Sequence, residues 1–280
     1  MHFTKLHGAG NDYLFVNGFE TDVADPSAVA VRMSDRHFGV GADGLILALP
    51  PEAGGDLRMR MFNADGSEAE MCGNGVRCLA AFAVTRGLAD GDTVRVETIA
   101  GVREVELHCD DAGRIVRGSV AMGRPILTPA DIPVEADGAR AVDVPLEVDG
   151  RALTMTCVGM GNPHAVFYTE DASAWPLARL GPRIEHHRRF PNRVNVHAVQ
   201  VVSAGEATVR TWERGSGPTL ACGTGACAVC VAGVLTGRTG RRLLAHVPGG
   251  DLELQWPADD AEVRLTGPIE EVFTGEWPEA

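Results

Sequence analysis

Positive charge is scarce in this 280-residue chain: 25 Lys and Arg stand against 38 Asp and Glu, a formal net charge of −13. That balance argues against a nucleic-acid partner, and the one locally basic run, "HHRRFPNRVN" (186–195), is too short to reverse it. No apolar run approaches the ~18 residues needed to cross a bilayer, so no membrane partner is expected. The opening "MHFTKLHGAGNDYLFV" lacks the charged n-region and apolar core of a secretory leader. Seven cysteines are present. The number is odd and no compact disulfide framework stands out, so free thiols in a reducing cytoplasm are expected. In that compartment clustered cysteine points to a metal, to catalysis or to core packing.

What is present in concentrated form is "TLACGTGACAVC" (219–230), which holds Cys222, Cys227 and Cys230. Their C-x4-C-x2-C spacing matches three ligands of a plant-type two-iron cluster. No cysteine follows residue 230 to complete the set, so no metal is expected. A redox pair is the other alternative, expected only as an inactivating oxidation of two close thiols.

An internal repeat separates these readings. "MFNADGSEAEMCGNGVRCLAAF" (61–82) aligns without a gap on "TWERGSGPTLACGTGACAVCVA" (211–232), at an offset of about 150 residues, with Cys72 on Cys222. Upstream, "GAGND" (8–12) answers "GMGNP" (159–163), and "GADGLILA" (41–48) lies over "NRVNVHAV" (192–199). Three collinear matches imply a tandem duplication. The expected domains are residues 1–117 plus 268–280, carrying Cys72, and residues 118–267, carrying Cys222.

Short β-branched or alternating runs separated by Gly, Asp, Asn and Pro predict a strand-rich chain. Each half has one clear helix after its CGxG, roughly 74–86 and 223–236, ending at Gly87 and Gly237. Both helices are apolar nearly all round, which requires burial on every side. The expected class is α+β: two pseudo-symmetric domains, each a curled, barrel-like mixed sheet around a central helix. Cys227 and Cys230 fall inside the second helix and read as core, as do Cys78, Cys109 and Cys157. The C-terminal "GPIEEVFTGEW" reads as a strand returning to the first domain.

A thiol at the amino end of a helix meets free N–H groups and the positive end of the helix dipole. Both favour thiolate, and the glycines that follow, Gly73 and Gly223, permit close approach of a carboxylate. Inversion of a stereocentre beside a carboxylate needs one group to remove the α-proton and another to deliver a proton to the opposite face. A thiolate and a thiol suit that work, with N–H donors stabilising the charge that builds on the carboxylate. No pyridoxal cofactor is then needed. Arg214 can grip a carboxylate in two-pronged fashion, and Glu213 can accept an ammonium. Asn11, Asn63, Asn162 and Asn195 offer donors and acceptors in turn-rich segments, and His164 in "GNPHAV" can orient or relay.

Taken together, "GAGNDY", "FNADGSEAEMCGNGVRC", "GNPHAV", "RVNV" and "ERGSGPTLACGTGACA" resemble the diaminopimelate epimerase family over nearly the whole chain. The resemblance implies a cofactor-independent isomerase that interconverts L,L- and meso-2,6-diaminopimelate in the route to lysine and peptidoglycan. It places the catalytic cysteines on Cys72 and Cys222, Cys72 acting as donor and Cys222 as acceptor in the forward direction. Further catalytic work falls on His164 and Glu213. Substrate contacts fall on Asn11, Asn63, Gly73, Asn74, Asn162, Asn195, Glu213, Arg214, Gly223 and Thr224. A homodimer is implied. The chain departs from the pattern at Gly44, where some members carry a glutamine, at Pro218, where an acidic residue is common, and at Phe273, where many have tyrosine. Proline racemases and hydroxyproline epimerases share the cysteine pair but typically carry a histidine where this chain has Asn74. A binding protein with a dead site is the non-enzyme alternative, disfavoured because both thiols are intact.

Overall fold

A computed structural model describes residues 1–278. The chain divides into two compact units, Met1–Ala121 with Thr266–Ala280, and Met122–Leu265. The first of these bounds coincides with the end of the strand Ile115–Ala121.

The first unit runs β1 (His2–Gly8), β2 (Asn11–Asn17), α1 (Pro26–Ser34), β3 (Gly44–Leu49), β4 (Leu57–Asn63), β5 (Glu68–Ala69), α2 (Gly73–Thr85), β6 (Thr93–Thr98), β7 (Gly101–Cys109) and β8 (Ile115–Ala121). The second runs β9 (Val144–Val148), β10 (Arg151–Gly159), β11 (Pro163–Tyr168), α3 (Leu177–Glu185), β12 (Asn195–Ser203), β13 (Glu206–Glu213), β14 (Gly217–Thr219), α4 (Gly223–Leu235), β15 (Arg242–Val247) and β16 (Gly250–Gln255). β17 (Arg264–Pro268) leads back to the first unit, where β18 (Glu270–Glu276) pairs antiparallel with β1.

The two units repeat one pattern of pairing. β1–β2 and β10–β11 are antiparallel, β2–β3 and β11–β12 parallel, β3–β4 and β12–β13 antiparallel. β4–β6 and β13–β15 are again parallel. A parallel pair needs a long crossover, and α1, α3, α2 and α4 fill those four crossovers in turn. Both units are thus mixed sheets with few helices.

The long helices are central to their units. α2 packs on β1, β2, β3, β6, β7 and β8, and α4 on β10, β11, β12, β15 and β16. Every residue from Gly73 to Ala83 of α2 is buried, as is every residue from Gly225 to Gly233 of α4. Each fully buried Val, Leu or Phe there contributes about 1.5–3 kcal/mol by leaving water. Both helices stop alike. Leu88 N–H bonds Ala83 O at 2.8 Å and Arg238 N–H bonds Gly233 O at 2.9 Å, around Gly87 and Gly237, each at φ 68°. Only glycine takes that left-handed cap without a Cβ penalty.

α1 and α3 are additions to the single helix expected per half. α1 starts at Pro26 after Asp25, whose side chain caps Ala28 N–H, and buries only Ala30, Met33 and Ser34. α3 contains Pro182 and buries Leu177, Leu180 and Ile184 among its apolar residues. At nine residues each, one with an internal proline, they lack the length and composition that mark a helix in sequence. Their cohesion comes from packing: Ala30 and Met33 join Leu14, Leu45 and Phe62, while Leu180 and Ile184 join Phe167, Val194 and Val196.

Candidate active site

Each central helix begins on a cysteine. Cys72 and Cys222 are the N-cap residues of α2 and α4, with extended backbones (φ −131°, ψ 125° and φ −125°, ψ 107°). Their carbonyls take the first helical bonds, from Val76 and Ala226 N–H, each at 2.9 Å. The N-cap is a position where a side chain reaches the unpaired N–H groups of the first turn, and Cys72 Sγ accepts from Gly75 N–H at 3.5 Å. Cys222 Sγ lies 3.6 Å from Thr224 Oγ1.

In the first unit, Cys72, Asn11 and Asn74 are brought together. Cys72 Sγ is 3.4 Å from Asn11 Oδ1, which also accepts from Asn74 Nδ2 at 3.2 Å. Buried Arg77 orients Asn74 by donating to its Oδ1 and to Gly73 O, each at 3.0 Å. Asn11 Nδ2 donates to Asp43 Oδ2 at 2.7 Å, and Asp43 in turn is held by Arg36 at 3.0 Å. Burial would raise Asp12, but hydrogen bonds from Arg36 and Lys5 hold its carboxyl below the ordinary range. Burial pushes the Cys72 thiol up, opposed by the N–H groups of Gly75 and Asn74, the hydroxyl of Tyr13 and the charge of Arg77. Asn63 bonds within its own turn, its Nδ2 donating to Ser67 Oγ at 3.0 Å. Gly44, across the ladder from Asn63, has no room for a side chain, since a Cβ there would strike Phe62 O and come within 3.1 Å of the Tyr13 ring.

In the second unit, Asn195 ties two loops together. Its Nδ2 donates to Pro163 O and its Oδ1 accepts from Arg214 N–H, both at 2.9 Å. Arg214 is exposed, and its Nη1 reaches Asn192 O at 3.0 Å. Glu213 Oε1 accepts from Thr219 Oγ1 at 2.6 Å. The turn that carries both rests on buried Glu185, whose two oxygens accept from Gly215 N–H at 2.9 Å and Trp212 Nε1 at 2.7 Å. His164 is wholly buried, with Nε2 2.7 Å from Asn162 Oδ1 and Nδ1 2.9 Å from His197 Nε2. His197, also wholly buried, places Nδ1 3.0 Å from Thr211 Oγ1. Burial first, then the neighbouring charges of His197 and Arg214, hold His164 well below the ordinary imidazole range, and burial takes His197 down to about 3. Both rings are therefore neutral near pH 7.

Four residues of these surroundings escape motif reading: Tyr13, Asp43, Glu185 and His197. Tyr13 stands opposite Gly44 in the β2–β3 ladder, as His164 stands opposite Asn195 in the β11–β12 ladder. The aligned repeats carry that signal, since both residues lie two places after the repeated asparagine. Asp43 and Glu185 act through tertiary contacts that no local spacing announces. Among the other cysteines, Cys227 and Cys230 are wholly buried in α4, and burial drives Cys78, Cys157 and Cys230 up to about 12. Cys109 corrects the expectation of a core residue: it lies exposed at the end of β7, past a register shift that ends the buried alternation.

A thiol at each helix start, with N–H donors and oriented amides around it, can exchange protons and bind an anionic group. The family model described as diaminopimelate epimerase matches residues 3–128 and 156–272. The diaminopimelate epimerase of Acetivibrio thermocellus is 50% identical over 276 residues, covering 99% of this chain and 98% of its own. That of Desulforudis audaxviator is 51% identical over 281 residues, with 100% of both chains covered. Among solved structures, a hydroxyproline epimerase from Agrobacterium vitis matches with TM-score 0.69 at 15% identity, over 98% of this chain and 90% of its own. That likeness speaks for the fold. With both repeats matched by the family model and half of all positions shared with these relatives, the chain belongs to the diaminopimelate epimerase family.

Proposed function

We propose that this isomerase interconverts L,L- and meso-2,6-diaminopimelate by a two-thiol proton exchange, on the route to lysine and peptidoglycan. In the forward direction Cys222 as thiolate takes the α-proton and Cys72 as thiol supplies the new one; the roles exchange in reverse. The observation that carries this reading is the N-cap position of both cysteines, each at the start of a buried helix. N–H groups there stabilise the negative charge that spreads onto the substrate carboxylate as the α-carbon loses its proton. The donor role of Cys72 is supported by the Asn11 oxygen that accepts its proton.

The chemistry asks for no pyridoxal cofactor, since thiols and N–H groups supply acid, base and charge stabilisation. Asn11, Asn63, Gly73 and Asn74 of the first epimerase domain, and Asn162, Asn195, Glu213, Arg214, Gly223 and Thr224 of the second, hold the zwitterionic substrate. Glu213 takes an ammonium and Arg214 a carboxylate. His164 and Glu213 complete the catalytic set. A cytoplasmic location is supported by the free thiols. A homodimer is supported by Val272 and Phe273, exposed on β18.

The test is incubation of reduced protein with L,L-diaminopimelate in deuterated buffer. Meso product carrying deuterium at the inverted carbon is expected. A protein that ignores diaminopimelate and inverts proline or hydroxyproline sinks the substrate assignment.

A further inference from the structure

Thr211, His197, His164 and Asn162 form a single hydrogen-bonded row inside the second unit. The steps are 3.0 Å from Thr211 Oγ1 to His197 Nδ1, 2.9 Å from His197 Nε2 to His164 Nδ1, and 2.7 Å from His164 Nε2 to Asn162 Oδ1. The end of the row sets its direction. An amide oxygen only accepts, so His164 carries its proton on Nε2. A neutral imidazole has one N–H, so His164 Nδ1 accepts and His197 donates from Nε2. His197 Nδ1 then accepts, and the Thr211 hydroxyl donates. Every proton in the row is thereby assigned from one end.

His197 also touches the reaction centre's frame from below. A Cβ built on Gly225 would strike His197 Cε1 and lie 2.9 Å from its Nε2 and 3.1 Å from Cys222 Sγ. The imidazole therefore fills the space under the first turn of α4, beside the thiol. In the first unit the corresponding position is Ile46, whose Cδ1 meets the Cβ position of Gly75 at 2.8 Å. The polar row is a property of the second unit alone among these paired positions.

We propose that His197 is a positioning residue for the reaction: by donating Nε2–H to His164 it locks His164 as the Nε2–H tautomer and aims the Asn162 amide. With Oδ1 held by His164, the Asn162 Nδ2 group is left to donate to a substrate carboxylate. The proposal rests on the epimerase reading above for its functional consequence. The tautomer lock stands on the buried geometry by itself.

The experiment combines kinetics on diaminopimelate with 15N NMR of histidine-labelled protein, His164 being assigned by comparison with His164→Gln. Wild type is expected to show His164 protonated at Nε2 only. His197→Leu removes the donor; mixed His164 tautomers and a fall in kcat/KM of about tenfold are expected, the worth of one buried hydrogen bond. His197→Gln restores an N–H near the Nε2 position and is expected within about threefold of wild type, with the Nε2–H tautomer regained. His164 protonated at Nδ1 in active wild type overturns the proposal. So does a His197→Leu protein with one Nε2–H tautomer and kcat/KM within about twofold of wild type. Should His197→Leu not fold, Thr211→Val deletes the hydroxyl at the head of the row. His197 is expected to stay protonated at Nε2 there, because Asn162 sets the row from its other end, and a His197 protonated at Nδ1 overturns the lock. Wild type inert toward diaminopimelate overturns the epimerase reading and the positioning role together, while its His164 signal still reports on the lock.

Discussion

Cys72 Sγ lies 3.4 Å from Asn11 Oδ1, an oxygen that also accepts from Asn74 Nδ2 at 3.2 Å. Because that oxygen can only accept, the contact favours the protonated thiol. Asn11 cannot turn its amide toward the sulfur without breaking its 2.7 Å bond to Asp43. Asp43 thus sets the face that Asn11 presents to Cys72, an acceptor face that favours the thiol form.

The Tyr13 hydroxyl works in the opposite sense, donating to the Cys72 sulfur and favouring thiolate. Tyr13→Phe removes that donor, so the thiol, already raised by burial, moves further up and less thiolate is present at a given pH. Alkylation of Cys72 by iodoacetamide at pH 8, measured in a Cys222→Ala background, should slow by about three- to tenfold. An equal or faster rate contradicts the hydrogen bond.

Replacement of either N-cap thiol should abolish turnover without unfolding the chain. Cys72→Ala and Cys222→Ala are each expected to lower kcat by about 10²–10⁴-fold, the usual loss for a positioned acid or base. Melting temperatures should stay close to wild type, because alanine leaves the helix backbone in place. Full epimerisation by either variant, followed by circular dichroism of the mixture, contradicts the two-thiol mechanism.

The two CGxG helices should differ in their tolerance of a methyl group. Gly75→Ala meets the tip of Ile46 at 2.8 Å, a flexible Cδ1 that can swing aside. Gly225→Ala drives into the His197 ring, which is held at both nitrogens. Urea denaturation should show Gly225→Ala destabilised by about 2–3 kcal/mol and Gly75→Ala by about 1 kcal/mol or less. The reverse order contradicts the difference in rigidity.

His246 provides a pH-dependent contribution outside the candidate site. Its Nδ1 is 2.7 Å from Asp251 and its Nε2 2.7 Å from Glu206, and these carboxylates raise its pKa above the ordinary imidazole value. A group raised on folding adds stability that is complete below its unfolded pKa and disappears as pH rises through the folded one. The side chain is about a third exposed, 34%, so solvent weakens the pair. His246→Gln should lower the melting temperature by about 1–3 °C at pH 5.5 and not at pH 9. An equal loss at both values contradicts the ion pairs.

The strands and the two central helices were legible because their signals are local. Alternation in "DLELQ" and the apolar girth of "ACAVCVAGVL" need no partner to be read. α1 and α3 were not legible, because nine residues with few buried apolar positions form a helix only against the sheet that covers them. Cys109 misled for a related reason: its residue type favours burial, but a register shift between His108 and Cys109 turns it out.

The sequence by itself determined that one cysteine at one helix start occurs twice, since the repeat sets Cys72 on Cys222 and leaves Cys227 and Cys230 facing Arg77 and Ala80. That much follows from order along the chain and from the apolar character of both helices nearly all round. Only the tertiary structure decided what surrounds each thiol. Asp43 reaches Asn11 across 32 positions, Glu185 reaches Gly215 across 30, and His197 reaches His164 across 33. Such bonds join strands and turns that are distant in sequence, so their geometry is set by sheet register and burial rather than by any spacing written in the chain.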